Sequence, residues 1–280
     1  MLSTTLITDF DNTLYDWFHM WYQSFSAMLD EIERISEIDR ADLIPEIRAI
    51  HQRYGTSEYA FLVEKLPILQ KQYPDREKLL AAFDPAIHAY RSARKANLQL
   101  YDGVAETLTI LRARGVMIVL YTDSLAFYTT DRIKRLGLDE FVDFIYSPPD
   151  HEIPESVTTH TRREKYKLAH AQNRHLKDGE AKPNPEVLRD IIAGVERTLN
   201  DCVYLGDSLT RDIAMAQDAG VKDIWAAYGA VQNKPEYTLL RQVSHWKDSA
   251  VQLEKTTTSR EVVPTNTISQ FSDIKRFFEA

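Results

Sequence analysis

The chain is predicted to be α/β: a Rossmann-like, doubly wound parallel sheet into which a helical cap domain is inserted. Three observations predict this. Five short runs rich in branched and aromatic residues, "TLITDF" (5–10), "VMIVLY" (116–121), "FVDFIY" (141–146), "CVYLG" (202–206) and "DIWAAY" (223–228), read as strands buried on both faces. Helical patterns separate most of them, the signature of βαβ units around a parallel sheet. Residues 16–99 contain no convincing strand and read as wholly helical, a block too long for a crossover and large enough for its own small core. The expected organisation is therefore a sheet domain from residues 1–15 and 100–280, with a helical cap domain at 16–99.

Taken in order, the first strand ends in "DFDNT". A strand alternates its faces, so Asp9 and Asp11 point the same way and repel each other unless something positive lies between them. A simple turn is the competing reading, because Asp and Asn favour turns. The helical block opens with Phe18, Trp21, Tyr22, Phe25, Met28, Leu29, Ile32 and Ile35 at helical spacing along one face, which predicts a packed core stripe. Further helices are expected around 42–53, 57–66 and 76–95. After the second strand, a helix from Leu125 to Leu136 stops at Gly137. Asn184 as N-cap and Pro185 in the first turn mark the helix "EVLRDIIAGVERTL".

Between Ser147 and Lys182 the connection is longer than the ~2–6 residues usual in α/β units. It holds "SPPDHEIPE", then Thr161 and Glu164 as a capping box for the helix "RREKYKLAHAQ". His151, His160, His170 and His175 do not form an i, i+4 pair on one helix face, so a solvated insertion, serving as an interface or an active-site lip, is preferred to a metal site. The segment from Lys234 to Arg260 is polar and partly helical in pattern. The closing "ISQFSDIKRFF" reads as an amphipathic helix.

Composition bounds the function. At 280 residues the chain can bury a proper core, and 44% hydrophobic with 27% charged residues is ordinary for a soluble protein. A net charge of −8 gives no footprint for nucleic acid or for an anionic membrane. Cys202 is the single cysteine, which excludes an intrachain disulfide framework and a cysteine-based zinc cluster. No basic, signal-type leader opens "MLSTTLITDF", and no apolar run suits a membrane helix; the expectation is a cytoplasmic protein.

Ligands of open parallel sheets bind beyond the carboxyl ends of the strands. There the sequence places Asp9, Asp11 and Thr13 after the first strand. Thr122 of "YTDS" follows the second, beside a helix N-terminus that suits phosphate. Asp207 and Asp212 of "GDSLTRD" follow the fourth, and Lys182 of "AKPNPE" precedes the helix that feeds it. Four acids with one lysine and one threonine call for a hard cation such as Mg²⁺, which takes one or two carboxylates plus phosphate and water. Each fragment alone has an ordinary structural explanation; the ordered set does not.

Together, "DFDNT", "YTDS", the lysine of "KPNPE" and "GDSLTRD" resemble the four motifs of the haloacid dehalogenase superfamily, over about 1–15 and 100–230, with 16–99 resembling its helical cap. A second Asp two residues after the first is mostly a phosphatase feature, and Asp11 argues against dehalogenation. The resemblance implies that Asp9 is the nucleophile and forms an aspartyl-phosphate, and that Asp11 shuttles the proton. It implies that Thr122, the backbone around Asp123, and Lys182 hold the phosphate. It also implies that Mg²⁺ is bound by Asp9, the Asp11 carbonyl and Asp207, with Asp212 ligating through water or orienting Lys182.

In the cap, "HQRYGTSEYAFL" (51–62) together with "FDNTLY" and "GDSLTRDI" is similar to pyrimidine-nucleotidase-like members of that superfamily. Tyr54 could then stack on a base and Arg53 meet a phosphate or carbonyl. An ordinary helix–helix turn capped by Gly55 stays open beside that reading. The expected substrate is a small phosphorylated metabolite, with a nucleoside monophosphate as the leading choice. Sugar phosphates, phosphoglycolate, phosphoryl transfer of the mutase type and a non-catalytic phosphate-sensing module stand as alternatives.

Overall fold

In the computed structural model, residues 3–150, 167–177, 179–249, 251–252 and 262–279 are described. The chain divides into two compact units. The sheet unit takes its described residues from 1–16, 99–230 and 260–280; the helical unit takes them from 17–98 and 231–259.

The sheet unit is built on strands β1 (Thr5–Thr8), β2 (Met117–Tyr121), β3 (Phe144–Ser147), β4 (Gln172–His175), β5 (Cys202–Gly206), β6 (Lys222–Ala226) and β7 (Thr267–Ile268). They form one sheet in the order β4-β3-β2-β1-β5-β6-β7, every pair parallel. β1 is buried along its whole length, because β2 and β5 flank it at the register Thr8↔Leu120 and Thr8↔Leu205. The sequence order reverses beside β1, at its border with β5, the kind of crevice in which doubly wound sheets bind ligands. All five expected strands are present. β4 and β7 were not expected: "QNRH" carries mostly exposed polar side chains on the outer edge, and β7 has only two residues.

Of the four histidines weighed and set aside as metal ligands, His170 and His175 are exposed, while His151, His160 and the Thr161–Glu164 capping box lie outside the described residues. The helices of this unit are α7 (Val104–Ala113), α8 (Ala126–Arg135), α9 (Pro185–Gly194) and α10 (Ala214–Ala219), numbered after the six of the helical unit. The Asn184 side chain caps α9 by accepting from Val187 N–H at 3.1 Å. The expected closing helix is a 3₁₀ stretch, Phe271–Phe277: its buried residues Phe271 and Ile274 are three apart, which suits three residues per turn.

The helical unit begins with α1 (Trp17–Ser36), α2 (Arg40–Tyr54), α3 (Leu62–Lys65), α4 (Pro67–Gln72), α5 (Arg76–Ala82) and α6 (Asp84–Asn97). The predicted stripe on α1 is its buried face, with Tyr22 and Ile35 at the margin. The Trp21 and Phe25 rings stack 5.0 Å apart within the core. The single helix expected over 76–95 is broken at Phe83, because Pro85 occupies the first turn of α6, where its missing N–H costs nothing. The helix expected over 57–66 shrinks to α3, since Pro67 starts a new helix.

The described residues 231–249 and 251–252, expected with the sheet, belong to the helical unit. Val231 and the α11 (Tyr237–Val243) residues Tyr237, Leu240 and Val243 complete the core around Phe18 and Trp21. α2 also caps α11: Arg48 donates to Arg241 O at 3.0 Å, and His51 Nδ1 lies 2.6 Å from Val243 O. Those contacts satisfy carbonyls that the end of a helix leaves open. Among the described residues no helix is long and apolar enough to cross a membrane.

Candidate active site

Beyond the carboxyl ends of β1, β2 and β5, the sheet unit gathers the residues picked out from sequence. Asp9 directly follows β1 and is fixed by donating its backbone N–H to Leu205 O at 2.8 Å. Thr122 follows β2; its backbone N–H bonds Tyr146 O at 3.0 Å, and its Oγ1 accepts from Ser124 N–H at 3.1 Å, which leaves the hydroxyl proton free to turn toward an anion. Asp207 follows β5, and Asp212 sits in a π-helical turn, Leu209–Ile213, that leads into α10. Such wide turns recur at functional sites, where they push a side chain inward.

Lys182 joins these groups. Its Nζ lies 2.6 Å from Asp9 Oδ1 and 2.7 Å from Asp212 Oδ1, with all three side chains buried. Asp212 is further held by the Tyr204 hydroxyl, which donates to Oδ1 at 2.8 Å, and by Ser208 N–H, which donates to Oδ2 at 3.1 Å. Both of its oxygens are thus engaged, an arrangement that suits orienting Lys182 more than direct ligation. The backbone N–H of Lys182 donates to Asp123 Oδ1 at 3.0 Å, and Arg211 pairs with Asp123 Oδ2, so the Asp123 carboxylate anchors the lysine's loop. Any grip of Asp123 on phosphate must therefore come from its backbone.

Burial pushes Asp9 up to about 7, against the pull of Lys182 and with further upward pressure from Asp212 and Asp11. Burial likewise holds Asp207 well above the carboxylate range, reinforced by Asp212 and Asp9. Burial alone would lower Lys182, but Asp212 and Asp9 outweigh it and keep the ammonium well above the ordinary lysine value.

Asp9, Asp207 and Asp212 bring carboxylate oxygens within 4.8 Å of one another, the one such group of potential metal ligands among the described residues. Three carboxylates share one ammonium there, because Arg132 is directed to Asp11 and Arg211 to Asp123. An all-oxygen donor set whose carboxyl groups are pushed toward protonation by burial and by one another fits Mg²⁺, a hard cation that favours their charged form.

Several residues that shape this site were not singled out from sequence. Tyr204 lies within the expected strand "CVYLG", Arg132 within the helix expected from Leu125 to Leu136, and Arg211 within "GDSLTRD", none with a role assigned. Gly206 and Gly229 are needed for space: a Cβ on Gly206 would lie 2.4 Å from Asp212 Cγ, and one on Gly229 would lie 1.9 Å from Asn12 O and 2.8 Å from Asp207 Cβ. Asn12 itself takes a left-handed φ of 56°, which Asn tolerates, and so turns the chain sharply between the two acids and Thr13.

Arg53, Tyr54 and Gly55 belong to the helical unit. Gly55 is the left-handed C-cap of α2, with φ 64° and its N–H on His51 O. Tyr54 stacks on Tyr59 at 3.8 Å, which covers one face of its ring, and the Arg53 guanidinium lies 5.6 Å from the Tyr54 ring centroid.

Comparison with known proteins bears on the fold and the family. A glyceraldehyde 3-phosphate phosphatase of Methanopyrus kandleri is 25% identical over 199 residues, 71% of either chain. The pyrophosphatase PpaX of Halalkalibacterium halodurans is 25% identical over 173 residues, 59% of this chain and 66% of that one. The fold is shared with the crystal structure of a 2-haloacid dehalogenase from Pseudomonas syringae, at 18% identity and a TM-score of 0.56, covering 99% of this chain and 98% of the other. The profile of the haloacid dehalogenase-like hydrolases matches residues 4–220, and the chain belongs to that family.

Proposed function

We propose that the protein is a magnesium-dependent phosphomonoesterase that works through an aspartyl-phosphate on Asp9. The observation that carries this reading is the pairing of Asp9 with Lys182 at 2.6 Å inside a buried, acid-rich strand end. The lysine opposes the protonation that burial favours and so supports the charged, nucleophilic form of the carboxylate.

Asp9 attacks phosphorus and the bond to the leaving oxygen breaks, with Asp11 giving that oxygen its proton. Water then cleaves the aspartyl-phosphate as Asp11 takes the proton back. Thr122, backbone amides around Asp123 and the Lys182 ammonium hold the phosphate oxygens, charge that is in place before the reaction begins. Mg²⁺, held by Asp9, the Asp11 carbonyl and Asp207, would add positive charge beside the transferring group. Asp212 orients Lys182.

The substrate class is a small phosphorylated metabolite, and the helical unit acts as the cap that selects it and excludes water. Arg53 and Tyr54 are proposed cap contacts with the part of the substrate beyond the phosphate. The names of the relatives add glyceraldehyde 3-phosphate and pyrophosphate to the nucleoside monophosphates, sugar phosphates and phosphoglycolate suggested by sequence.

The test is phosphate release from this panel with and without Mg²⁺. Release is expected to need the metal and to fall on the order of 10³-fold or more in Asp9→Asn. Equal release by Asp9→Asn would overturn the aspartyl-phosphate mechanism. Folded protein that releases phosphate from nothing would favour the transfer or phosphate-sensing readings.

A further inference from the structure

Asp11 is held in place by two residues that the reaction itself does not require. The Tyr15 hydroxyl donates to Asp11 Oδ1, and Arg132 Nη1 reaches the same oxygen at 3.5 Å. Arg132 is no surface arginine. Its side chain is 4% exposed, and its Nη1 donates to Ser124 Oγ at 3.0 Å. Its guanidinium lies 5.7 Å from the Tyr15 ring centroid and 5.9 Å from that of Tyr128. Ser124 in turn donates its backbone N–H to Thr122 Oγ1. One rigid fork therefore ties the turn proposed to grip phosphate to the carboxyl group proposed to move the proton.

We propose that Tyr15 and Arg132 are positioning residues that set the Asp11 carboxyl in register with the phosphate held at Thr122. The proposal rests on the phosphatase reading above. Two donors converging on Oδ1 leave no room for a proton on that atom, so Asp11 carries its mobile proton on Oδ2. As the bond between phosphorus and the leaving oxygen breaks and Asp9 takes the phosphoryl group, the Oδ2 proton passes to that oxygen and an alcohol departs. The Asp11 carboxylate that remains is stabilised by the hydroxyl and the guanidinium already on Oδ1.

This role predicts a dependence on the leaving group. An aryl oxide leaves without a proton; an alkoxide needs one. We would measure kcat/KM, which reports only the steps up to leaving-group departure, with para-nitrophenyl phosphate and with the best alkyl monophosphate of the panel. Wild type would be compared with Tyr15→Phe, Arg132→Gln, Arg132→Lys, Asp11→Ala and Asp9→Asn. Tyr15→Phe keeps the buried ring and removes one oxygen, so it guards against simple misfolding at Arg132, and thermal unfolding would check each variant.

The expected result is a loss about tenfold or more larger on the alkyl than on the aryl substrate for Tyr15→Phe and Arg132→Gln. Asp11→Ala should show the same pattern more strongly, and Arg132→Lys should be intermediate. Equal losses on the two substrates, or none, while Asp11→Ala stays selective, would overturn the positioning role and leave the phosphatase reading standing. Wild type inactive on both, or Asp9→Asn as active as wild type, would overturn the phosphatase reading and the positioning role with it.

Discussion

At the strand ends of the sheet unit, Asp9, Lys182, Asp212 and Tyr204 are buried and bond chiefly to one another. In the helical unit, the buried polar side chains of Ser24, Ser36 and His51 bond instead to backbone carbonyls, those of Met20, Ile32 and Val243. Polar groups of the second kind satisfy the chain locally and support its stability. A cluster of the first kind, with three acids to one lysine, costs stability in desolvation and repulsion and is explained by chemistry rather than by folding. The difference separates the two settings: the strand-end cluster holds charge in a strained balance, while Ser24, Ser36 and His51 are neutral groups satisfied by backbone.

The largest expected effect would break this comparison if it failed. Lys182→Met should abolish turnover and, in the presence of a chelator, cost about 3–5 kcal/mol of stability, because Asp9 and Asp212 lose their one cation. Asp9→Asn should abolish turnover yet leave the metal-free protein as stable as wild type or slightly more so, since one of the repelling carboxylates is gone. Chemical denaturation alongside phosphate release reads both. Equal destabilisation by the two substitutions would mean that the cluster is structural.

A second effect sharpens the helical side. Burial holds His51 down to about 4, well below the ordinary histidine value, with its Nδ1–H on Val243 O. As pH falls below about 6.5 the unfolded chain takes up a proton that the folded chain refuses until near 4. Stability should therefore drop by about 3 kcal/mol across that window and be fully present above it. Denaturation midpoints measured over this range should flatten in His51→Gln. The smallest effect concerns the α9 cap: Asn184→Ala should lower stability by about 1 kcal/mol, read by the same denaturation.

What could be read from sequence follows from physical contrast. β1, β2, β3, β5 and β6 were legible because both of their faces are covered and their residues are accordingly apolar. β4 was not, because an edge strand of Gln172, Asn173, Arg174 and His175 looks like a loop. Asp9, Thr122, Asp207 and Asp212 were legible as acids and a hydroxyl at or just past the ends of apolar runs, and Lys182 as the lysine just before the helix that feeds the fourth of those runs. Tyr204 was hidden because a buried tyrosine in a strand is indistinguishable from core until its hydroxyl is seen on Asp212. Arg132 was hidden in "DRIKRLG", where every charge looks solvated. The affiliation of 231–252 was obscured by polar residues that outnumber Val231, Tyr237, Leu240 and Val243, the four buried in the helical core.

That last feature has a bearing on how the chain is made. Proteins emerge from the ribosome from the N-terminus onward, and domains fold as their residues become available. The helical unit begins at Trp17 but is completed by α11, which is synthesised only after strands β1 to β6. Until then the face of α1 and α2 that receives Tyr237, Leu240 and Val243 waits without its cover. The nascent chain must carry that open apolar face through the synthesis of nearly the entire sheet. A fragment ending near residue 230 would release it permanently, making this the place where truncation should lead to aggregation.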